Sequence, residues 1–183
     1  MRLAGRILKL FGWSVEITVP DYPKCIICVA PHTSNWDFIL GLLAYSSVGR
    51  KAGFLMKESW FFWPLGPIFR ALGGVPVPRG KKRGALVETI AHMFPMSPRL
   101  QLAITPEGTR SATSRWHTGF LNIARLADVP ILLGVIDYKD RHISIVDTFT
   151  PTGDNEADLR AVMRYYRGAN ARYPEKFIST PEQ

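Results

Sequence analysis

Short apolar segments alternate with helix-like segments along nearly the whole chain, and this alternation restricts the fold more than any other feature of the sequence. The apolar segments predict strands over residues 15–19, 24–30, 53–56, 75–77, 100–104, 131–136 and 143–146. The other segments predict helices over residues 35–46, 67–72, 84–94, 118–127 and 156–173. Such alternation indicates an α/β fold in which helices flank a mixed, mostly parallel sheet. At 183 residues the chain is expected to form a single domain.

The two cysteines, Cys25 and Cys28, share the predicted strand over residues 24–30. Side chains on a strand alternate between its two faces, so residues three apart point to opposite sides of the sheet. We therefore interpret the pair as two small core residues rather than a metal or redox site. The sequence shows no cluster of zinc ligands either, and we expect no metal.

Residues 1–14 are predicted to form an amphipathic segment ahead of a single domain over residues 15–183. On a helix the basic and the apolar residues fall on different faces: Arg2, Arg6 and Lys9 on one, and Leu3, Ile7, Leu10 and Phe11 on another. The pattern is typical of a peripheral protein on an anionic bilayer, but also of a helix that packs on its own domain. Both interpretations stay open. No apolar stretch is long enough for a transmembrane helix, and no signal peptide is recognisable.

The net charge of +8 predicts an anionic partner, such as a phosphate ester, an acidic carrier, a membrane surface or nucleic acid. The basic residues are scattered along the chain, and no nucleic-acid-binding module is recognisable. We therefore do not expect nucleic acid as a partner.

The residues directly after the predicted strands carry the candidate chemistry, because sites of α/β proteins collect at the carboxyl ends of strands. His32 comes after the strand over residues 24–30, and Asp37 falls in the first turn of the next helix. A carboxylate in that turn can fold back towards the residues before the helix. Its hydrogen bond to one imidazole nitrogen makes the other nitrogen a better base, which suits a substrate hydroxyl as nucleophile. A hydrogen-bonded structural histidine is the alternative.

Candidate groups for binding an anion come after three other predicted strands. Gly108 lets the backbone approach a ligand closely, and the guanidinium of Arg110 can bind phosphate through two hydrogen bonds. Glu107 is placed to hold that arginine, although a turn with a local ion pair is the alternative. A basic run over residues 79–83 is either a phosphate-attracting or a solvated loop. The candidates are Lys57, Arg79, Glu107, Gly108, Thr109 and Arg110.

Residues 59–69 carry no charge and include four consecutive aromatic residues at positions 60–63. Prolines and glycine within this stretch disfavour a regular buried helix. The segment is interpreted as part of the core, as the lining of an acyl-chain groove or as a contact with the membrane interface. All three interpretations stay open.

The order of these motifs resembles that of the glycerolipid, or lysophospholipid, acyltransferases, which include the 1-acylglycerol-3-phosphate acyltransferases. Four residues separate His32 from Asp37, and a valine-rich piece then ends in Arg79. The string Glu-Gly-Thr-Arg over residues 107–110 comes next, and then a Val-Pro pair at positions 129 and 130. The resemblance spans roughly residues 25–135, and the string over residues 107–110 is its most specific part.

The resemblance implies a glycerol-3-phosphate-acyltransferase-like fold and an O-acyltransferase activity in phospholipid biosynthesis. A fatty acyl group would pass from acyl-CoA or acyl carrier protein to the free hydroxyl of a lysophospholipid, most simply 1-acylglycerol 3-phosphate, which would give phosphatidate. His32 would act as general base and Asp37 as its orienting partner, and the enzyme itself would not be acylated. The thioester is a co-substrate, and no cofactor is implied.

The resemblance also assigns the acceptor side of the site. Arg79 and Arg110 would bind the acceptor's phosphate, with Lys57 near them. Glu107, Gly108 and Thr109 would shape that pocket. The implied location is cytoplasmic, peripheral on the inner face of the cell membrane, with the anionic membrane surface as a partner.

The sequence departs from the family pattern next to two of these motifs. Pro31 stands where the family has Asn before the histidine, and Pro76 stands where the second motif has Phe. Other acceptors therefore stay open, namely another lysophospholipid, a lyso-aminolipid or glycerol 3-phosphate. A non-catalytic domain that binds anionic lipid is the alternative of a different class, against which the intact pair of His32 and Asp37 argues.

Overall fold

One seven-stranded sheet organises the chain in the computed structural model, which describes residues 3–78 and 83–180. Its strands are β1 (Ser14–Ile17), β2 (Lys24–Ala30), β3 (Gly53–Lys57), β4 (Gly74–Val77), β5 (Leu100–Ile104), β6 (Ile131–Asp137) and β7 (His142–Phe149). The helices are α1 (Leu3–Leu10), α2 (Asn35–Ser47), α3 (Leu65–Leu72), α4 (Arg83–Ala91), α5 (Met93–Met96), α6 (Gly119–Ala127) and α7 (Asn155–Tyr165). Every predicted strand is present, so the predicted α/β fold is confirmed.

The strand order β1-β7-β6-β2-β5-β3-β4 makes the sheet mixed but mostly parallel. Strands β2 to β6 all run parallel to one another, β7 pairs antiparallel with β6, and β1 pairs parallel with β7. The carboxyl ends of β2 to β6 therefore meet at one edge of the sheet, which we call the carboxyl edge. The amino end of β1 lies at the same edge, because β1 runs opposite to β2.

The sheet buries apolar side chains on both faces, and β2 contributes to both. Cys28 packs with Phe94 and Phe120 on one face, whereas Cys25 packs with Tyr45 and other residues on the opposite face. Both thiols are free and buried. The alternation of side chains along a strand thus places the two cysteines in separate clusters, as predicted.

Helix α1 buries Leu8 in the domain and leaves other apolar side chains exposed. Leu8 is buried in a cluster with Leu40 and Ala44 of α2. Leu10 and Phe11 at the end of the helix are exposed, as is Leu3 at its start. The helix therefore packs on its own domain, yet it keeps an apolar surface that the domain does not cover.

Two predicted helices are longer in the sequence interpretation than in the structure. The helix predicted over residues 84–94 stops at Ala91 as α4, because Pro95 lacks an N–H and its ring would clash with the carbonyl of Ala91. The helix predicted over residues 156–173 stops at Tyr165 as α7. Gly168 then adopts a φ of 89°, and the chain returns to the carboxyl edge, where Asn170 bonds Asp137.

Among the described residues, none of the helices combines the length and the apolar character that crossing a bilayer requires.

Candidate active site

The loop between β2 and α2, which together with the first turn of that helix we call the base loop, is fixed by the start of the helix. Ser34 is the N-cap, and its side chain accepts a hydrogen bond of 3.2 Å from the backbone N–H of Trp36. Asp37 folds back, and its Oδ2 accepts bonds of 2.7 Å from the backbone N–H groups of both Thr33 and Ser34. This capping box brings the carboxylate to the residues before the helix, as the sequence predicts.

His32 and Asp37 lie side by side in this loop. His32 Nδ1 is 3.5 Å from Asp37 Oδ2; the histidine side chain is 18% exposed and the aspartate side chain only 1%. The distance exceeds an ordinary hydrogen bond, but catalytic pairs are often this long before substrate binds. Burial raises the pKa of Asp37, but the contact with His32 and the hydrogen bonds from Tyr138 and two backbone amides outweigh this effect, so the pKa lies below its usual value.

Tyr138 is a site residue that the sequence interpretation does not include. It directly follows β6 at the carboxyl edge, and its hydroxyl donates a hydrogen bond of 2.5 Å to Asp37 Oδ1. His32 is found by inspecting the residues at the carboxyl end of each strand, and the same rule applied to β6 points to Tyr138.

Glu107 joins the loop after β5 to the base loop. Its Oε1 accepts a hydrogen bond of 2.8 Å from the backbone N–H of His32. The residue is only 2% exposed, and this burial raises the pKa of its carboxyl to about 7. Glu107 therefore contacts the backbone of the histidine rather than forming the ion pair with Arg110 that the sequence suggests.

Gly108, Thr109 and Arg110 belong to the exposed part of this loop. Gly108 has a φ of 64°, and a Cβ at this position would approach His117 Cδ2 to 2.6 Å. The position therefore requires glycine both for its backbone conformation and for the close approach of the imidazole. Thr109 Oγ1 accepts a hydrogen bond of 3.2 Å from the backbone N–H of Ser111, which tightens the turn around Arg110.

The structure brings some of the predicted cations together with the histidine and leaves others apart. Arg110 and His32 line the same cavity. Lys57 is exposed at the end of β3, at the carboxyl edge but separated from β2 by β5. Arg79 and the neighbouring residues 80–82 lie outside the described residues.

An apolar cavity of about 700 Å³ opens beside His32, between α2 and the sheet. Its walls include Ile27 and Val29 of β2 and Phe38 and Tyr45 of α2. Few polar side chains line the cavity, and they include His32, Asn35, Asp37 and Arg110. An apolar chamber with a few convergent polar groups at one end is the usual form of a site for an amphiphilic small molecule.

The aromatic segment over residues 59–69 does not line this cavity. Trp60, Phe62 and Trp63 are all more than half exposed, and Trp63 is 85% exposed. The interpretation of these three side chains as core is therefore wrong. They come after β3 and thus lie at the carboxyl edge.

Within the part of the chain that the structure describes, no three His, Cys, Asp or Glu side chains come together in a way that would hold a metal ion.

Comparisons with known proteins place this site in a family. A model of the acyltransferase family matches residues 16–135, which include His32, Asp37, Glu107 and Arg110. The fold is similar to the crystal structure of the 1-acyl-sn-glycerophosphate acyltransferase PlsC from Thermotoga maritima, with a TM-score of 0.58 and 17% sequence identity, over 92% of this chain and 78% of that one. No curated protein sequence matches the chain. Because the family model spans well over half of the residues, the chain belongs to the acyltransferase family.

Proposed function

We propose that the protein transfers a fatty acyl group from an acyl thioester to the free hydroxyl of a lysophospholipid, with 1-acylglycerol 3-phosphate as the acceptor to test first. The observation that carries the proposal is the imidazole of His32, which lies against a buried carboxylate at the mouth of an apolar cavity that Arg110 also lines. Membership of the acyltransferase family supports the reaction class. The fold shared with a 1-acyl-sn-glycerophosphate acyltransferase supports the choice of acceptor.

His32 is the general base in this proposal. Its Nδ1 faces Asp37, which leaves Nε2 as the ring nitrogen that accepts the hydroxyl proton. As that proton leaves, the acceptor oxygen forms a bond to the thioester carbonyl carbon. When the C–S bond breaks, Nε2 returns the proton to the leaving sulfur, which departs as a thiol. Asp37 remains ionised throughout and stabilises the imidazolium that forms between the two steps.

The apolar cavity accepts the acyl chain. Its walls are mainly aliphatic and aromatic side chains, and its volume of about 700 Å³ lies in the range of small-molecule sites. Burial of the chain there places the thioester at the polar mouth, where the histidine lies. The co-substrate is acyl-CoA or an acylated carrier protein, and the reaction as written needs no metal or further cofactor.

Arg110 binds the phosphate of the acceptor. Its guanidinium is exposed at the cavity mouth, and a guanidinium matches the geometry of phosphate oxygens. Lys57 at the same edge adds positive charge, and Arg79 is a further phosphate ligand in this proposal. Glu107, Gly108 and Thr109 shape the loop that presents Arg110.

The protein acts at the surface of an anionic bilayer, on the inner face of the cell membrane. Leu10 and Phe11 on one side of the site and Trp63 on the other are exposed apolar side chains at the carboxyl edge. Exposed aromatic and leucine side chains near cations such as Lys57 are typical of interfacial binding. Docking in this orientation presents the site to lipid acceptors in the bilayer.

Co-sedimentation with vesicles that contain anionic lipid tests this orientation. Replacement of Trp63 or Phe11 by Asp should weaken sedimentation, because each change places a charge in the contact. Met96 is the matched control, since it is 85% exposed but precedes β5 at the opposite edge, and Met96→Asp should sediment like the wild type. Equal losses for all three variants would contradict the proposed orientation.

Mass-spectrometric detection of the diacyl product tests the reaction itself. Purified protein is mixed with an acyl-CoA or acylated carrier protein and with one acceptor at a time: lysophosphatidate, other lysophospholipids, a lyso-aminolipid and glycerol 3-phosphate. We expect an acylated product that gains the mass of one acyl group and depends on His32. The absence of product from every pair of donor and acceptor would refute the catalytic proposal in favour of lipid binding.

A further inference from the structure

Asp37 is held from outside its own loop by Tyr138. The phenol donates a hydrogen bond of 2.5 Å to Asp37 Oδ1, across 101 residues of sequence. Tyr138 lies beyond residues 16–135, the part of the chain that matches the acyltransferase family. No proton or bond changes at its hydroxyl in the proposed reaction, so a role for this residue has to act through Asp37.

The hydrogen bond from Tyr138 adds a second restraint on the carboxylate of Asp37. Oδ2 already accepts from the backbone N–H groups of Thr33 and Ser34, and it is the oxygen near His32 Nδ1. These contacts restrain one oxygen but leave rotation about the Cβ–Cγ bond less restricted. The bond from Tyr138 restrains the other oxygen, so the plane of the carboxylate, and with it the direction in which Oδ2 faces the imidazole, is fixed.

Tyr138 is itself held on both its backbone and its ring. Its backbone N–H donates a bond of 2.8 Å to the carbonyl of Asn170, whose side-chain amide donates a bond of 2.7 Å to Asp137 Oδ2. Its ring packs edge-on against Trp13, with centroids 5.1 Å apart. The phenol therefore has little freedom to follow a movement of Asp37.

The hydroxyl of Tyr138 is a donor over the whole working range of pH. Burial raises its pKa, the adjacent carboxylate of Asp37 adds to this effect, and the smaller opposing effect of Arg172 does not cancel it. A phenol that keeps its proton donates to an ionised carboxylate and stabilises its charge.

We propose that Tyr138 is a positioning residue that acts through Asp37 to keep the imidazole of His32 in one tautomer and one orientation. This inference rests on the proposed function, in which His32 is the base. A side chain directly after β6 would then complete a unit whose other members come from the base loop.

The test uses Tyr138→Phe, which removes only the hydroxyl. Tyr165→Phe is the matched control, since Tyr165 ends α7 and packs against Tyr166, away from the base loop. We expect kcat of Tyr138→Phe to fall roughly 10- to 100-fold, as for the loss of a hydrogen bond to a charged group, with the KM values of donor and acceptor little changed. Thermal unfolding shows whether stability changes as well. A kcat equal to that of the control would overturn the proposal, as would a change in melting temperature alone.

A second readout needs no turnover, so it separates failure of this inference from failure of the proposed function. Ring ¹⁵N signals of His32, assigned by their loss in His32→Ala, report the tautomer. We expect Nδ1 to carry the proton in the wild type, and the signals to move towards a mixture of tautomers in Tyr138→Phe. Identical His32 signals in the two proteins would overturn the positioning role even if acyl transfer is confirmed.

Discussion

The two loops that meet beside the cavity are built in opposite ways. In the base loop, the carboxylate of Asp37 accepts hydrogen bonds from two backbone amides and from Tyr138, and it is buried. In the loop after β5, Gly108, Thr109 and Arg110 are exposed. Glu107 of that second loop turns inwards, and its carboxylate accepts a hydrogen bond from the backbone of the base loop.

This difference separates two kinds of contribution to a reaction. A group that the protein fixes in advance lowers the energy of the transition state, and its loss reduces kcat. An exposed side chain is ordered by its ligand, and its loss weakens binding and raises KM. The comparison predicts that changes in the base loop and in the exposed part of the second loop act on different kinetic constants.

The largest effect is expected for His32→Ala. Loss of the base should reduce kcat by at least about a thousandfold, because removal of a general base that acts together with its partner costs this much or more. The fold should survive, since the backbone N–H that bonds Glu107 remains. Turnover and circular dichroism check this, with exposed His92→Ala as control. Near-normal turnover of His32→Ala would assign the base elsewhere.

Glu107 lies in the second loop but is buried like Asp37. The pH dependence of the protein's stability tests this burial. Its pKa is about 7 when folded against 4.5 for the free group, so the folded chain retains a proton that the unfolded chain loses. The free energy of unfolding therefore falls as pH rises from 4.5 to about 7, by about 3 kcal/mol from this group.

Glu107→Gln should remove this pH dependence while keeping an oxygen that accepts from the His32 amide. Relative to the wild type, the variant should become more stable as pH rises through that window, as measured by urea unfolding at several pH values. Glu88→Gln, which changes an exposed carboxylate on α4, is the matched control. Parallel stability curves for the wild type and Glu107→Gln would place the Glu107 carboxylate in solvent.

Arg110→Ala tests the exposed part of the second loop. The acceptor KM should rise about 10- to 100-fold with a small change in kcat, which corresponds to the loss of a charge-assisted bond to phosphate. Arg115→Ala removes another exposed arginine of the same connection and serves as control. A rise confined to the KM of the thioester would move Arg110 to the donor side of the site.

Ser34→Ala should give the smallest effect. It removes the side-chain oxygen that accepts from Trp36 N–H at the start of α2, which costs about 1 kcal/mol of stability. Asp37 keeps its backbone donors and Tyr138, so turnover should change little. Ser46→Ala near the end of the same helix is the control. A large loss of kcat in Ser34→Ala would show that the base loop is less rigid than its hydrogen bonds indicate.

Local features of this molecule could be predicted from the sequence because they depend on residues close in the chain. The order of strands and helices follows from apolar periodicity, and Asp37 folds back because a helix start leaves unpaired N–H groups within its reach. Cys25 and Cys28 separate because strand geometry requires it. The predicted helix over residues 156–173 is too long, because the break near Gly168 depends on where the sheet lies.

The contacts that tie the site together could not be predicted in this way. Tyr138 reaches Asp37, and Glu107 reaches the backbone of His32, only because β6 and β5 both pair with β2 and end at the same edge. The sequence shows which side chains lie at the end of each strand, but the strand order decides which of them meet. The turn of Glu107 away from Arg110 likewise depends on the neighbouring loop.

Acceptor-dependent release of thiol from an acyl-CoA tests the central claim most directly. Purified wild-type protein and His32→Ala are compared in mixed micelles, with and without lysophosphatidate. The account predicts release by the wild type that requires the acceptor, together with a loss of at least about a thousandfold in the variant. Release at the same rate without acceptor, or release that His32→Ala retains, would contradict acyl transfer with His32 as the base.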